Sequence, residues 1–399
     1  MVLALPYFKI RGCYLVGEGG KEYVEIVDRS GKTFIKEVKR MGKASLPILD
    51  LVKNLGYIDP DKVKESRRFL HKYIEKIKEK TMERITFLGY RYRNHTWEIV
   101  VGGDGKHTYQ LLSVIFHGKV MDRFAFFLPS VEGDLEVFKE VYKGLFALND
   151  PPLHFAIAHF LSWIAKQFLQ GSSVLPKINP VLILAGNTGT GKTIRAEIAA
   201  GLYGNPKLFS FTNNTLAAFI NRFPLLKVPF GIDDISKRNK EYENKLLHLV
   251  SSIANPEGVI KVPVIMTVMD TTKDRNFAPS PWLSRRSIVI KLTPEWEPNL
   301  EALIKAVEAL HFHHGHILHY VRGLTEEDKV WIQKVASNIY NYINLKGGGF
   351  EGLRKHIALS LATFAHFFLH FIQACTEEEM NRKLKGIVEF VLKEIEIMG

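Results

Sequence analysis

The sequence predicts an α/β protein whose core is a parallel sheet between helices, with an α+β module before it and an all-helical domain after it. Three observations lead to this fold class. Short alternating strands occupy residues 8–40, buried strands alternate with helices between residues 150 and 295, and the pattern after Pro294 is purely helical. Strands separated by helices indicate a parallel sheet covered on both faces. The expected domains are residues 1–148, 149–295 and 296–399.

The first module combines strands with one basic helix. Apolar and polar residues alternate in 8–11, 23–27 and 33–36, which predicts a small antiparallel sheet. A helix is expected over residues 60–80, because its apolar residues recur on one side, and its other side is rich in lysine. Charge runs on helices are usually solvated faces, so DNA contact and a plain surface role both remain open for this helix.

The elements of the two later domains follow from the apolar periodicity and from glycine and proline breaks. In the core, helices are expected at 153–170, 194–202, 215–223 and 241–254, and strands at 181–185, 227–236, 259–269 and 287–292. In the last domain, helices are expected at 300–310, 317–324, 326–343, 353–375 and 378–397.

A glycine-rich stretch after the strand at 181–185 carries the clearest chemical signal. It matches the P-loop pattern of glycine, four residues, then glycine, lysine and threonine, and a helix follows it. The glycines let backbone amides converge on phosphate oxygens, which the first amides of the helix also face. Lys192 is expected to contact the β- and γ-phosphates, and Thr193 to ligate Mg²⁺. The predicted phosphate-binding residues are Gly186, Asn187, Thr188, Gly189, Thr190, Gly191, Lys192 and Thr193.

Two adjacent carboxylates, Asp233 and Asp234, end the next buried strand of the core. A P-loop enzyme needs such a strand, because a carboxylate must hold the metal ion together with the P-loop threonine. Asp233 is expected to hold Mg²⁺ together with Thr193, and Asp234 to polarise the attacking water. The alternative for this pair is a helix-capping role.

The order of these motifs resembles that of AAA+ ATPases, and within them superfamily 3 helicases and the related helicase-like ATPases of phages, plasmids and integrated elements. The resemblance rests on the P-loop, the Asp-Asp strand, the polar-ended strand at 264–275, and Arg285 and Arg286 before the last strand. In such enzymes a polar strand end senses the γ-phosphate, and an arginine reaches the nucleotide of a neighbouring subunit. The resemblance therefore implies Thr267 or Asp270 as the sensor, and Arg285 or Arg286 as the arginine finger.

Together these features predict an ATPase that uses ATP and Mg²⁺ and works as a ring of identical chains, expected to be a hexamer. It would move along or unwind DNA, single-stranded or forked, in the replication of a mobile genetic element. Two alternatives remain. A P-loop switch or scaffold would assemble protein partners on DNA without unwinding it. A small-molecule or nucleoside kinase would carry an arginine-rich lid between the core strands, and the sequence shows none.

Composition limits the setting in which the chain works. A hydrophobic fraction of 46% and a charged fraction of 24% are ordinary for a globular protein, and the net charge of +12 favours a polyanionic partner. Two cysteines, Cys13 and Cys375, fit a reducing, cytoplasmic location. The apolar runs at 153–169 and 357–375 contain polar side chains and are expected to be buried helices, with no membrane involved. The apolar start at 1–6 is too short for a signal peptide.

Two further features have less specific meanings. Five histidines between residues 311 and 319 have no cysteine and few carboxylates beside them, so a structural role is expected rather than a metal site. Residues 254–263 precede the polar-ended strand, where the resembling helicases have a loop that faces DNA. A plain connecting turn is an equal alternative, because Lys261 is the one cation of this segment.

Overall fold

The computed structural model forms two compact units. The first comprises Met1–Leu88 and Gly105–Ala125, and the second comprises Gly89–Asp104 and Phe126–Gly399. The residues described are 8–16, 21–28, 30–38, 72, 76, 82–85, 87–104, 106, 129–210, 226–236, 240–254, 261–269, 285–293, 299–347 and 350–396. These units are defined by contacts, and the three-domain division expected from the sequence stays a prediction.

The first unit contains a four-stranded sheet. Its strands are β1 (Phe8–Val16), β2 (Lys21–Asp28), β3 (Thr33–Val38) and β4 (Met82–Ile85). They lie in the order β3-β2-β1-β4, with antiparallel pairs among the first three and a parallel pair between β1 and β4. The buried carboxylate of Glu25 accepts a hydrogen bond of 2.9 Å from the hydroxyl of Tyr14. The antiparallel sheet predicted for residues 8–40 is present, and β4 joins it from farther along the chain.

The remaining strands form two more sheets. In chain order they are β5 (Leu88–Arg93), β6 (Thr96–Val100), β7 (Val181–Gly186), β8 (Phe209–Ser210), β9 (Leu226–Lys227), β10 (Phe230–Ser236), β11 (Val264–Met269) and β12 (Ser287–Leu292). A small sheet has the order β6-β5-β9, and the main sheet has the order β12-β7-β11-β10-β8 with every pair parallel. The parallel sheet expected between helices is therefore present, and β8 is a fifth strand that the sequence did not predict.

Helices surround the main sheet and continue beyond it. They are α1 (Leu135–Ala147), α2 (Pro151–Phe168), α3 (Lys192–Ala200), α4 (Lys240–Ala254), α5 (Leu300–Leu310), α6 (Ile317–Gly323), α7 (Glu326–Lys346), α8 (Glu351–His366), which continues as a π-helical segment (Phe367–Ile372), and α9 (Glu377–Glu396). The helices after β12 confirm that the end of the chain is helical.

The central helix of the second unit is α2. Asp150 caps its start by accepting a hydrogen bond from the amide of Leu153, and two prolines occupy its first turn, where their missing N–H groups cost nothing. Nearly every side chain of α2 is buried, which is the pattern of a helix covered on all sides. The sheet on which it lies is equally apolar: five of the six residues of β7 are buried, as expected for a parallel strand covered on both faces.

One helix among the described residues is long and apolar enough to cross a membrane by length and composition, Glu351–Ile372. Of its apolar stretch, 78% is buried inside the fold, where α8 packs against α2 and α7. Its hydroxyl groups are satisfied internally, as shown by Thr363, which donates to the carbonyl of Leu359 at 2.8 Å. These are the surroundings of a core helix.

Candidate functional site

Three neighbouring strands bring the predicted site residues to one edge of the main sheet. The carboxyl ends of β7, β11 and β10 lie side by side, and in open parallel sheets ligands bind outside these ends. Ile232 pairs with Met266, so the residues that follow them, Asp233 and Thr267, emerge together. The register then slips by one residue on β10. Such a bulge bends the strand and redirects its side chains.

The glycine-rich loop joins the end of β7 to the start of α3. Gly189 and Gly191 have φ angles of +87° and +76°, in the left-handed region where a side chain is strained. Gly191 is the N-cap of α3, and having no side chain it leaves the first amides of the helix free of a side-chain cap. Inside the loop, the carbonyl oxygen of Asn187 accepts hydrogen bonds from the Thr190 hydroxyl at 2.9 Å and from the Lys192 ammonium.

The carboxylate of Asp233 on β10 joins this strand to α3 and to β11. Its Oδ1 accepts a hydrogen bond from the hydroxyl of Thr193 on α3 at 3.0 Å, and another from the hydroxyl of Thr267 on β11. Thr193 and Asp233 were the predicted pair of metal-holding residues, and Thr267 was one of two sensor candidates. The structure brings these three oxygen-bearing side chains together beside the glycine-rich loop.

Burial and the charge of Asp233 shift the pKa values of two nearby groups, Lys192 and Glu197. Burial lowers the pKa of the Lys192 ammonium, and the charge of Asp233 partly opposes that shift. Burial raises the pKa of Glu197 on α3 to about 7, helped by the negative charge of Asp233 and opposed by Lys207. A bound anion would favour the charged form of Lys192, so phosphate is a suitable ligand for this position.

A cavity of about 630 Å³ opens over these groups. A volume of this size is in the range of small-molecule sites. Its lining combines polar side chains with two apolar side chains of α5, Leu300 and Ile304, which form an apolar wall. The lining residues are Thr188, Gly189, Gly191, Lys192, Thr193, Ile194, Ser210, Asp233, Thr267, Leu300 and Ile304.

Several residues of this site were missed by the sequence reasoning. Leu300 and Ile304 carry an apolar helix pattern that any core helix shows, so no signal separated them from packing residues. Arg195 and Asp150 form a fully buried ion pair beneath the loop. Asp150 had a detectable signal, because an acidic residue before two prolines is a typical helix start, but nothing in the sequence indicated its partner.

The arginine-finger candidates lie directly before β12. Arg285 is exposed and lies over the ring of Phe350, with its guanidinium carbon 4.9 Å from the ring centre. Arg286 is half-buried, and its backbone carbonyl accepts a hydrogen bond of 3.0 Å from the amide of Val181 on β7. Neither arginine is among the described residues that line the cavity.

Other sequence predictions fall outside the described residues. The backbone of Asp234 belongs to β10, but its side chain is not described, and Asp270 is not described at all. The same holds for the expected helix at 215–223, residues 255–260 of the segment 254–263, and most of the basic helix at 60–80. Lys261 is described as exposed.

The histidine cluster is tied to backbone and hydroxyl groups. His314 lies 3.0 Å from the hydroxyl of Ser130 and 3.1 Å from the carbonyl of Leu310, and His316 lies 3.1 Å from the carbonyl of Glu132. The contacts with Ser130 and Glu132 join the segment before α6 to the segment before α1. Among the described residues, no group of three or more histidine, cysteine, aspartate or glutamate side chains is arranged to hold a metal ion.

Comparison with known proteins gives a likeness of fold. No protein-family model matches the chain, and no curated protein matches it. A solved structure described as "SCCmec type IV Cch - active helicase" is similar to it, with a TM-score of 0.66 over 96% of this chain and 73% of the other. The two sequences are 15% identical. The chain therefore has a helicase-like fold, although its sequence is distant from that of this neighbour.

Proposed function

We propose that this chain is an ATP-hydrolysing DNA helicase or translocase with an AAA+ P-loop core, which acts as a ring of identical chains, a hexamer, in the replication of a mobile genetic element. The observation that carries the proposal is the shared carboxylate oxygen of Asp233. It joins the threonine after the P-loop lysine, Thr193, to the end of a neighbouring strand at Thr267. This arrangement links a phosphate-binding loop to the edge of the sheet where hydrolysis would be sensed.

The residues around the cavity support binding of a nucleoside triphosphate. The open amides at the start of α3 and the ammonium of Lys192 are suited to phosphate oxygens. The hydroxyl of Thr193 and the carboxylate of Asp233, 3.0 Å apart, are oxygen donors of the kind that Mg²⁺ prefers. Thr193 and Asp233 would hold Mg²⁺, which would neutralise part of the charge on the phosphates.

The same residues have separable roles in the proposed hydrolysis. Asp233 holds the hydroxyls of Thr193 and Thr267 in place, and Asp234 polarises the attacking water. Either Thr267 or Asp270 senses the γ-phosphate. Arg285 or Arg286 stabilises the charge of the transferring phosphoryl group from the neighbouring chain, which makes hydrolysis depend on the ring. The absence of both arginines from the described cavity lining of this chain agrees with donation between chains.

The net charge of +12 and the helicase-like fold support DNA as the partner. The neighbouring structure carries the word helicase in its own description, and we extend that activity to this chain as part of the proposal. Binding to the phosphate backbone should weaken steeply as salt rises, because each neutralised phosphate releases counterions.

The test compares ATP turnover with and without single-stranded DNA, and strand separation of a forked duplex. We expect DNA to stimulate turnover and the fork to open, with Lys192→Ala as the inactive control. Particle mass should rise to that of a ring when a non-hydrolysable nucleotide is added. Turnover without DNA stimulation or unwinding would instead favour a scaffold ATPase, and a chain that binds no nucleotide would reject the proposal altogether.

A further inference from the structure

Beneath the glycine-rich loop lies an ion pair that solvent does not reach. The side chains of Arg195 on α3 and Asp150 before α2 are both 0% exposed. Two parallel hydrogen bonds join them, from Nε to Oδ1 at 3.0 Å and from Nη2 to Oδ2 at 2.6 Å. Removing two charges from water is costly, and a hydrophobic pair of similar volume is often at least as stable. Stability alone therefore does not explain why this position holds charges.

The remaining nitrogen of Arg195 reaches the loop itself. Nη1 donates to the carbonyl oxygens of Thr190 at 2.9 Å and Gly191 at 3.2 Å. In a planar trans peptide the N–H points away from the carbonyl of the same bond. Because Arg195 holds these two carbonyls, the amides of Gly191 and Lys192 are turned away from it. Gly191 and Lys192 are also residues that line the cavity.

Asp150 connects the same pair to the apolar wall of the cavity. Its Oδ2 lies 3.3 Å from the side-chain nitrogen of Asn299, the residue at the N-terminus of α5. The next residue, Leu300, packs so closely that a Cβ added at Gly191 would collide with it. The same added atom would lie 2.6 Å from Nη1 of Arg195. One buried carboxylate thus joins the loop, α2 and α5.

We propose that Arg195 is a positioning residue for the phosphate-binding loop, and that Asp150 fixes both this arginine and the start of α5. Arg195 orders the Thr190 and Gly191 peptides before any ligand arrives, so that nucleotide binding does not have to order them. Asp150, through Asn299, sets the spacing between the loop and the wall that carries Leu300. This inference rests on the proposed nucleotide site and names Arg195 and Asp150 as the residues that position its loop.

The decisive variant replaces both members of the pair, Asp150→Asn with Arg195→Met. A single Arg195→Met would strand a buried carboxylate and risks unfolding the chain. In the double variant, asparagine still caps α2, and methionine fills the space of the arginine stem. We expect the melting temperature to stay within a few degrees of the wild type, whereas the dissociation constant for ATP rises at least tenfold.

Two comparisons separate positioning from general damage. Arg195→Lys keeps the charge beside Asp150 but has one nitrogen where the guanidinium has three. We therefore expect an ATP affinity between those of the wild type and the double variant. Lys166→Met removes a basic side chain of α2 that donates to Asn179 at 2.6 Å, away from the Arg195 pair, and should leave ATP affinity unchanged. Hydrogen exchange of the peptide covering residues 187–194, measured without nucleotide, should be faster in the double variant.

These readouts distinguish the two proposals. If the wild type binds no ATP, the proposed function fails, and hydrogen exchange still tests the pair by itself. If loop exchange is the same in the wild type and the double variant, Arg195 does not position the loop. Equal ATP affinity in a folded double variant would overturn the inference while leaving the nucleotide site intact.

Discussion

The hydroxyl of Thr193 donates a hydrogen bond of 3.0 Å to Oδ1 of Asp233, across the gap between α3 and the end of β10. The two residues are forty positions apart in the sequence, and the parallel sheet brings them together at its carboxyl edge. In the proposed ATPase this bond marks the place where Mg²⁺ would be held.

Replacing Asp233 by asparagine should separate nucleotide binding from hydrolysis. Asparagine keeps the shape and one hydrogen-bonding oxygen but loses the negative charge that attracts a divalent cation. We expect ATP affinity without Mg²⁺ to stay within about threefold, the gain in affinity on adding Mg²⁺ to disappear, and turnover to fall by about 100-fold or more. Titration of a fluorescent ATP analogue with and without Mg²⁺, together with phosphate release, measures both effects. An unchanged Mg²⁺ dependence would show that the metal is held elsewhere.

The Thr267 hydroxyl should matter through its bond to the same carboxylate. Thr267→Val keeps the shape of the buried side chain but removes the donor, whereas Thr267→Ser keeps the donor. A lost hydrogen bond to a charged group is worth about 1.5–3 kcal/mol, so we expect turnover to fall about tenfold or more in the valine variant and to remain near wild type in the serine variant. Equal turnover in both variants would show that Thr267 has a packing role alone.

The parts of this site that depend on local pattern could be predicted from the sequence. The glycine-rich loop, the acidic strand and β12 can be recognised from their residue types. The structure has the corresponding strands at 181–186, 230–236 and 287–292. The parts that depend on long-range contacts could not. The pairing of Asp150 with Arg195 spans 45 positions, and the bulge at the end of β10 follows from register, which no local signal encodes.

Helix α1 illustrates the same limit. The division that groups it with the N-terminal strands stays a prediction, and no local signal indicates what this helix packs against. In the structure, Tyr142 donates to the carbonyl of Ile198 on α3 at 2.8 Å. An amphipathic helix shows in its sequence that it has a buried face, but not which neighbour covers that face.

Alanine at two glycines of the loop should separate backbone strain from steric collision. Gly189 and Gly191 both have left-handed φ angles, where a side chain costs about 1–2 kcal/mol. A Cβ at Gly189 meets nothing within 4 Å, whereas one at Gly191 meets Leu300 and Arg195. We expect ATP affinity to fall about tenfold in Gly189→Ala and at least about tenfold further in Gly191→Ala. Equal losses, measured by calorimetric titration, would mean that the collision is relieved at no cost.

Arg285, which is exposed, is the better of the two candidates for an arginine finger, and Arg286 is its matched control. Arg285→Ala should bind ATP about as well as the wild type but hydrolyse it slower by about 10³-fold, because the finger acts on charge that develops in the transition state. Arg286→Ala should retain most of its turnover. The reverse result would assign the finger to Arg286.

Mixing inactive chains tests whether the finger acts between subunits. A Lys192→Ala chain lacks a working loop but still carries Arg285, and an Arg285→Ala chain has the opposite defect. In a mixed ring, some sites combine an intact loop with an intact finger from the neighbour, so turnover should reappear when the two proteins are mixed. If every mixing ratio stays inactive, Arg285 does not act on a neighbour.

Acid should destabilise the fold through a buried histidine pair behind the sheet. His159 on α2 lies 3.1 Å from the carbonyl of Val264 at the start of β11 and 2.9 Å from Nε2 of His356 on α8. The carbonyl can only accept, so Nε2 of His159 carries a proton, and Nδ1 of the neutral ring is then free to accept from His356. Burial lowers the pKa of His159 to about 3 from an ordinary value of 6.5, and the charge of Lys166 adds to this shift.

The folded state disfavours protonation of His159, whereas the unfolded chain protonates it near pH 6.5. The contribution of neutral His159 to the free energy of unfolding is therefore fully present above pH 6.5 and is lost as pH falls from 6.5 towards 3. Within this window, each proton taken up on unfolding lowers the free energy of unfolding by about 1.4 kcal/mol for every pH unit of acidification. Glutamine can make similar hydrogen bonds without titrating, so His159→Gln should lose less stability between pH 7 and pH 5 than the wild type does in urea unfolding. Parallel pH profiles for the wild type and His159→Gln would mean that protonation of other groups causes the acid sensitivity.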